Sequence, residues 1–327
     1  MKASPAQAQP IPLAQLNPGH RIGKFEVLEL YPEGRGGMAR VVRAARLDGR
    51  REEVALKISR GGVNRTYFFA AIQKEVEILQ KLDHLGVVRI VRVSDGRNPY
   101  KERALTLEES PWYFGMECLH GGSLEAYTKG LGRLTLGETC AIARPLAEAL
   151  MHVHRRGFSH NDVKPDNVIF RRALEVGARF EPVLIDFGVA AKLVRQQVDG
   201  SVVYMAPERL QEQRSPGPPE APVDTTKADV WSMGILVYRM LVGREPFLGL
   251  SDRSITSAIM RGLPAPMQKQ RPDVPREFDE FIVERCLAKD PRVRAAMHEF
   301  ALFVERYAGD GRVKRASRSR RKLTWKG

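Results

Sequence analysis

Two acids, a lysine and an asparagine stand in this chain at the spacing that phosphoryl transfer needs. Asp162, Lys164 and Asn167 fall in the run His160-Asn161-Asp162-Val163-Lys164-Pro165-Asp166-Asn167, and Asp186 opens Asp186-Phe187-Gly188. Carboxylates accept protons and bind hard cations, an ammonium neutralises anionic oxygen, and an amide oxygen can complete a cation's ligand shell. Val168-Ile169-Phe170 follows Asn167 and Val183-Leu184-Ile185 precedes Asp186. Both runs are short, apolar and strand-like, so the two motifs are expected at the ends of one hairpin, with Asn167 and Asp186 as neighbours.

The elements that must position these residues divide the chain in two. From Phe25 to about Leu119 the pattern is strand-like, interrupted by a helical stretch over 67–82 with an apolar stripe of Phe68, Ile72, Val76, Leu79 and Leu82. From Leu124 onward it is helical, over 136–156, 227–242, 251–261, 276–288 and 297–307. Residues 92–111 read as a long polar connection and 211–223, with four prolines, as an exposed loop. The expected fold class is α+β: a strand-rich lobe over 22–118 with one major helix, then a helix-rich lobe over 119–309. A flexible extension, 1–21, precedes them, with Ile11 and Leu13 as candidate anchors, and a basic tail, 310–327, follows. There is no internal repeat.

Composition bounds the function classes. The 327 residues are 43% apolar and 28% charged, enough for one large bilobal domain or two small ones. No run reaches the roughly 18 apolar residues of a membrane span, and residues 1–18 are Ala/Gln/Pro-rich without an apolar signal core, so a cytoplasmic location is expected. Cys118, Cys140 and Cys286 are far apart in apolar segments and read as buried thiols, not a disulfide framework or zinc site. His152, His154 and His160 do not share a helix face. Of the +14 net charge, eight Lys/Arg lie in 311–327 without any Asp/Glu. That tail is a candidate contact for an acidic partner, nucleic acid or anionic lipid, with a solvated tail as the plainer reading. Ser317 and Ser319 are candidate phosphorylation sites within it, and Trp325 an aromatic handle.

Further motifs fall in order along the chain: Gly34-Arg35-Gly36-Gly37-Met38-Ala39-Arg40-Val41, Val54-Ala55-Leu56-Lys57, Trp112-Tyr113-Phe114-Gly115-Met116-Glu117-Cys118-Leu119, Ala206-Pro207-Glu208 and Asp229-Val230-Trp231-Ser232-Met233-Gly234. With the two motifs above, they resemble the Ser/Thr protein kinase family, most closely the eukaryotic-like kinases of bacteria, over residues 22–309. The resemblance implies a bilobal protein-kinase-like fold that uses ATP and Mg²⁺ to phosphorylate Ser/Thr hydroxyls of proteins. It makes Asp162 the proton acceptor, Lys164 the neutraliser of charge on the transferred group, and Asn167 and Asp186 the Mg²⁺ ligands. It gives Gly34, Gly36 and Gly37 to the nucleotide phosphates and Lys57 to the α- and β-phosphates, with Glu75 rather than Glu77 as the partner of Lys57. Val41, Ala55 and Ile169 sandwich the adenine, Met116 stands beside it, and the backbones of Glu117 and Leu119 bond its edge.

The same resemblance implies a buried Glu208–Arg294 pair, an Asp229 that holds the catalytic-loop backbone, and stacked Leu79, Ile90, His160 and Phe187. It also exposes departures. Ala39 stands where the family has a third glycine, and Asn161 where it has an arginine that would bind a phosphorylated activation loop. Residues 189–199 contain no Ser, Thr or Tyr, so receptor and signal are both missing and activity is expected to be independent of phosphorylation there. Ser201 suits a bridge between Asp162 and Lys164. Arg239 and Ser123 occupy places where basic-directed relatives often carry acids, which argues against a strong preference for arginine upstream of the target. A pseudokinase scaffold and a small-molecule kinase are the competing readings.

Overall fold

The computed structural model describes residues 9–32, 39–49, 52–188, 202–214 and 224–314. Gly34, Gly36, Gly37, Ser201, the segment 189–200, most of the proline-rich 211–223 loop and the tail beyond 314 lie outside the described residues. The rest divides into two compact units, one of residues up to 81 together with 89–118, the other of 82–88 together with residues from 119 onward.

The first unit is an antiparallel sheet with one helix. Its strands are β1 (Arg21–Ile22), β2 (Phe25–Leu30), β3 (Ala39–Arg46), β4 (Glu53–Ser59), β5 (Ile90–Val91), β6 (Lys101–Arg103) and β7 (Trp112–Glu117). They run in the order β1-β2-β3-β4-β7-β5, with β6 also paired to β7. Central β4 carries Val54, Ala55, Leu56 and Ile58, all buried, the near-continuous apolar run of a strand covered on both faces. Helix α1 (Arg65–Leu79) buries Ala71, Ile72, Glu75, Val76, Ile78 and Leu79. Glu75 therefore lies on the helix's inner stripe, while Glu77, two residues on, is exposed.

Residues 9–20, read from the sequence as part of a flexible extension, are packed on this sheet. Leu16 is 1% exposed, Ile11 N–H donates to the Thr106 carbonyl, and the Ile11 carbonyl accepts from Glu108 N–H. An apolar side chain sunk in the core outweighs the lack of periodicity around it. The 92–111 connection also contains structure, namely β6 on β7 through Lys101–Phe114, Glu102–Tyr113 and Arg103–Trp112.

The second unit is helical apart from the hairpin of β8 (Val168–Phe170) and β9 (Pro182–Leu184). Its helices are α2 (Leu124–Leu131), α3 (Leu136–Arg155), α4 (Pro207–Arg214), α5 (Thr226–Val242), α6 (Asp252–Arg261), α7 (Arg276–Glu280) and α8 (Met297–Glu305). Thr135 and Glu138 form a reciprocal cap at the start of α3. Helix α5 is buried on nearly every side from Ala228 to Val242, which makes it the axis of the unit. The helix expected over 276–288 is instead α7 followed by a wider π turn over Phe281–Cys286, where Phe281 stacks on Phe303 at 3.9 Å. Among the described residues no helix is long and apolar enough to cross a membrane.

Two boundaries differ from the sequence reading. Residues 82–88, counted there with the strand-rich part, pair in the second unit: Val88 N–H donates to the Leu184 carbonyl and Leu184 N–H to the Gly86 carbonyl. Residues 310–314, counted with the tail, also belong there. Arg312 bridges Arg179, Val313 N–H donates to the Ala178 carbonyl, and the Val313 side chain is 1% exposed. Chain truncated after Asp310 should accordingly be less stable than chain truncated after Lys314 by about 2 kcal/mol, the value of one buried valine, read by urea unfolding of the two proteins.

Candidate active site

The loop that carries Asp162 hangs on one buried carboxylate. Asp229, in the first turn of α5, is 0% exposed. Its Oδ2 accepts His160 N–H at 3.0 Å and its Oδ1 accepts Asn161 N–H at 2.8 Å. His154 Nε2, near the end of α3, donates to Oδ2 at 2.7 Å. An ionised carboxylate only accepts, so three donors satisfy it and two of them fix consecutive peptide groups. Between these anchors the backbone of Asn161 turns left-handed, with φ +61°. Asparagine enters that region more readily than most residues, so the departure from the family's arginine suits the local geometry.

His160 ties this loop to the second motif. Its Nε2 lies 3.0 Å from the Ile185 carbonyl and its Nδ1 3.3 Å from Asp162 N–H. One tautomer serves both: Nε2 donates and Nδ1 accepts. The ring is fully buried and packs 4.7 Å from Phe187. The sequence offered this histidine only as a stacking residue, and its two hydrogen bonds became visible only with the loop in place.

Asp162, 5% exposed, is gripped on one oxygen. Oδ2 accepts from Lys164 Nζ at 2.8 Å and from Asn167 Nδ2 at 2.9 Å. Oδ1 accepts no hydrogen bond among the described residues and is not sealed from solvent, so it is the oxygen that can take a proton. Burial alone would lower the Lys164 pKa, but Asp162, with Asp186 and Asp166, raises it above the ordinary lysine value. Lys164 thus remains an ammonium beside the carboxylate.

The expected hairpin brings Asn167 beside the second motif. Val168 pairs with Leu184 and Ile169 with Val183, and Ile185 N–H donates to the Asn167 carbonyl. Asn167 turns its amide nitrogen to the Asp162 carbonyl and carboxylate, which leaves its Oδ1 outside those bonds. Asp186 is also left-handed, with φ +62°. An amide oxygen and a carboxylate at one hairpin end are the donor set a hard divalent cation takes.

In the first unit, Lys57 Nζ lies 2.9 Å from Glu75 Oε1 and 2.7 Å from Oε2, with Glu75 2% exposed. β4 supplies the lysine and the inner stripe of α1 the acid. Lys57 faces Val41 on β3 and Phe114 on β7, and Ala55 faces Met116. Val41, Ala55 and Met116 are buried in this unit. Glu117 N–H donates to the Arg89 carbonyl at 2.9 Å. Leu119 and Ile169 belong to the second unit, both buried, and Ile169 is bridged to Ser123.

The supporting pair also forms. Arg294 Nη1 and Nη2 meet Glu208 Oε1 and Oε2 at 2.7 and 2.9 Å, a bidentate contact with the arginine side chain 0% exposed. The three histidines have separate partners: His152 Nε2 accepts Asp83 N–H, His154 meets Asp229 and His160 meets Ile185. Substituting Asp229→Asn places an NH₂ group against N–H donors. It should cost about 1.5–3 kcal/mol of stability and speed amide hydrogen exchange at His160 and Asn161, measured by NMR, more than at the interior of α3.

A family model described as protein kinase domain matches residues 31–302. Serine/threonine-protein kinase PrkC of Bacillus subtilis (strain 168) is 28% identical over 281 residues, which cover 84% of this chain and 39% of that protein. Serine/threonine-protein kinase pkn2 of Myxococcus xanthus is 32% identical over 289 residues, covering 85% of this chain and 32% of that protein. This chain therefore spans well under half the length of either relative. Among solved structures, the crystal structure of Rad53 1–466 in complex with AMP-PNP matches with a TM-score of 0.65 and 25% identity, over 87% of this chain and 65% of that one. An α+β chain matched by that model over most of its length, with a similar solved fold, belongs to the protein kinase domain family.

Proposed function

We propose that the chain is an ATP- and Mg²⁺-dependent protein kinase that transfers the γ-phosphoryl group to Ser/Thr hydroxyls of proteins. The observation that carries this reading is the Asp162–Lys164–Asn167 cluster, in which one carboxylate oxygen is gripped and the other is left for a proton. Relatives named as serine/threonine kinases support it.

In this reading the substrate oxygen attacks the γ-phosphorus in line with the leaving β–γ bridging oxygen. Its proton passes to Asp162 Oδ1, the new P–O bond forms as the old one breaks, and ADP departs with the bonding pair. Lys164 offsets the negative charge on the transferred group. Lys57, aligned by Glu75, holds the α- and β-phosphates. Asn167 Oδ1 and Asp186 would hold Mg²⁺, which supplies charge neutralisation on the phosphates. Val41, Ala55, Ile169 and Met116 are assigned to the adenine faces and side. Because Glu117 N–H is engaged by Arg89, its share of the adenine edge falls to its carbonyl, and Leu119 contributes its backbone. Gly34, Gly36 and Gly37 complete the phosphate grip.

We assign residues 22–314 to the kinase domain, the cytoplasm as its location because ATP is supplied there, and an acidic protein or nucleic acid as a contact of the basic tail, from charge alone. Labelled-ATP assays on generic proteins should show phosphoserine or phosphothreonine, and Asp162→Asn and Lys57→Met should each reduce the rate at least about 100-fold. ATP binding without phosphate transfer by the native chain would make it a nucleotide-binding scaffold instead. Activity should also survive phosphatase treatment within about twofold, since 189–199 has no hydroxyl side chain and position 161 no cation. A larger loss mapped to that segment would contradict this independence.

A further inference from the structure

The start of α1 has no anion of its own. Asn64, at the capping position, makes no side-chain cap hydrogen bond, and the first turn holds no acid, although the peptide N–H groups of a helix start favour negative charge. The carboxylate comes instead from the connection over 92–111. Glu109 Oε2 accepts Gly62 N–H at 3.0 Å and Oε1 shares it at 3.3 Å, and Arg65 Nη1, on the first residue of the helix, lies 3.9 Å from Oε2. Gly61 makes room for this approach. A Cβ there would stand 2.6 Å from Glu109 Oε2, while the φ of Gly61 lies outside the left-handed region, so the carboxylate and not the backbone demands the glycine.

The connection is shaped to deliver this carboxylate. Glu109 and Ser110 are consecutive non-glycine residues in the left-handed region, at φ +59° and +43°, a conformation that persists only where surrounding contacts fix it. Those contacts reach back to residues 9–21. Ile11 pairs with Thr106 and Glu108 through its N–H and carbonyl, Thr106 Oγ1 donates to the Arg21 carbonyl at 2.8 Å, and Leu107 is buried in one core with Leu16. Arg103 on β6 closes the other side. Its Nη2 donates to the Glu109 carbonyl at 3.3 Å, and its guanidinium lies 5.1 Å from the Phe69 ring on α1 and 5.2 Å from the Trp112 ring on β7, so one cation ties helix to sheet.

We propose that Glu109 is a positioning residue for phosphoryl transfer: held by residues 9–21 and β6, it clamps the start of α1 and thereby sets Glu75 against Lys57. The inference rests on the protein kinase reading above. Glu75 stands ten residues along α1 from Arg65, about 15 Å at the helical rise, and a rigid helix carries a tilt at its start to that point. The clamp and the lysine hang on one strand, since Phe114 of β7 faces Lys57 on one side and Lys101 of β6 on the other. Because the Glu109 side chain is 38% exposed, its worth is that of a surface contact, a few-fold in rate and far below the loss expected for Lys57 itself.

The test uses the purified full chain, labelled ATP and a generic protein substrate, with two variants that break the same contact in different ways. Glu109→Ala removes the carboxylate. Gly61→Ala leaves it in the chain and displaces it with a methyl group, a change that restricts the unfolded chain and should not lower the urea midpoint. Each should lower kcat/KM for ATP about threefold to fivefold with KM for the protein substrate unchanged, and each should speed amide hydrogen exchange over residues 68–75 at least about threefold while β2 stays native. The double variant should be no worse than either single one. On a Glu75→Gln background, where the pair is already broken, Glu109→Ala should lower kcat/KM by less than about 1.5-fold. Native exchange and kinetics in both variants would overturn the proposal, as would losses that multiply in the double variant or on the Glu75→Gln background. A native chain that phosphorylates no protein would instead overturn the kinase reading, and exchange along α1 in the same variants would still decide whether Glu109 clamps the helix.

Discussion

A carboxylate with no access to water holds the loop on which the proposed chemistry depends. Asp229 sits in a helix that is otherwise apolar on nearly every side, where an unpaired charge would be intolerable. The two backbone N–H groups at 160 and 161 and the ring of His154 make it tolerable, and in doing so they lose their own freedom. The loop is therefore positioned by a helix buried along nearly its whole length. Asp162 lies one residue beyond the second anchor.

From that anchor the order extends by short hydrogen-bonded steps. His160 passes it to Ile185, the residue before Asp186, and to the backbone of Asp162. Asn167 passes it from Asp162 to the end of the β8–β9 hairpin. Histidine does this with one ring nitrogen donating and the other accepting, asparagine with its side-chain amide donating to Asp162 and its backbone carbonyl accepting Ile185 N–H. Replacement of the histidine by a group with only one function would leave one motif fixed and the other adrift.

The first unit solves a different problem in the same manner. Lys57 interrupts the buried run of β4, and a lone ammonium there would sample many rotamers. Glu75 on the buried stripe of α1 fixes it through both carboxylate oxygens. Helical geometry made this choice, since Glu77 is rotated about 200° from Glu75 and faces solvent. Arg239 is the parallel case in the second unit, a cation whose place is set by acids contributed from other elements.

Local chemistry was legible in the letters: the α+β division, the hairpin that makes Asn167 and Asp186 neighbours, and the burial of Cys140 and Cys286, though not of Cys118, which is partly exposed just beyond β7. These follow from periodicity and spacing, which act over a few residues or one helical turn, whereas the acid that pairs with Lys57 was read from the resemblance to the kinase family. The docking of residues 9–20 and of Val313 was not legible, because each depends on a cavity formed by segments far away in the chain. The same holds for the two-sided role of His160 and the closure of Arg239 by Glu125 and Glu245. A sequence determines which groups can donate, accept or carry charge, and only the folded chain decides which of them meet, since hydrogen bonds and ion pairs between remote residues exist only at distances of a few ångströms.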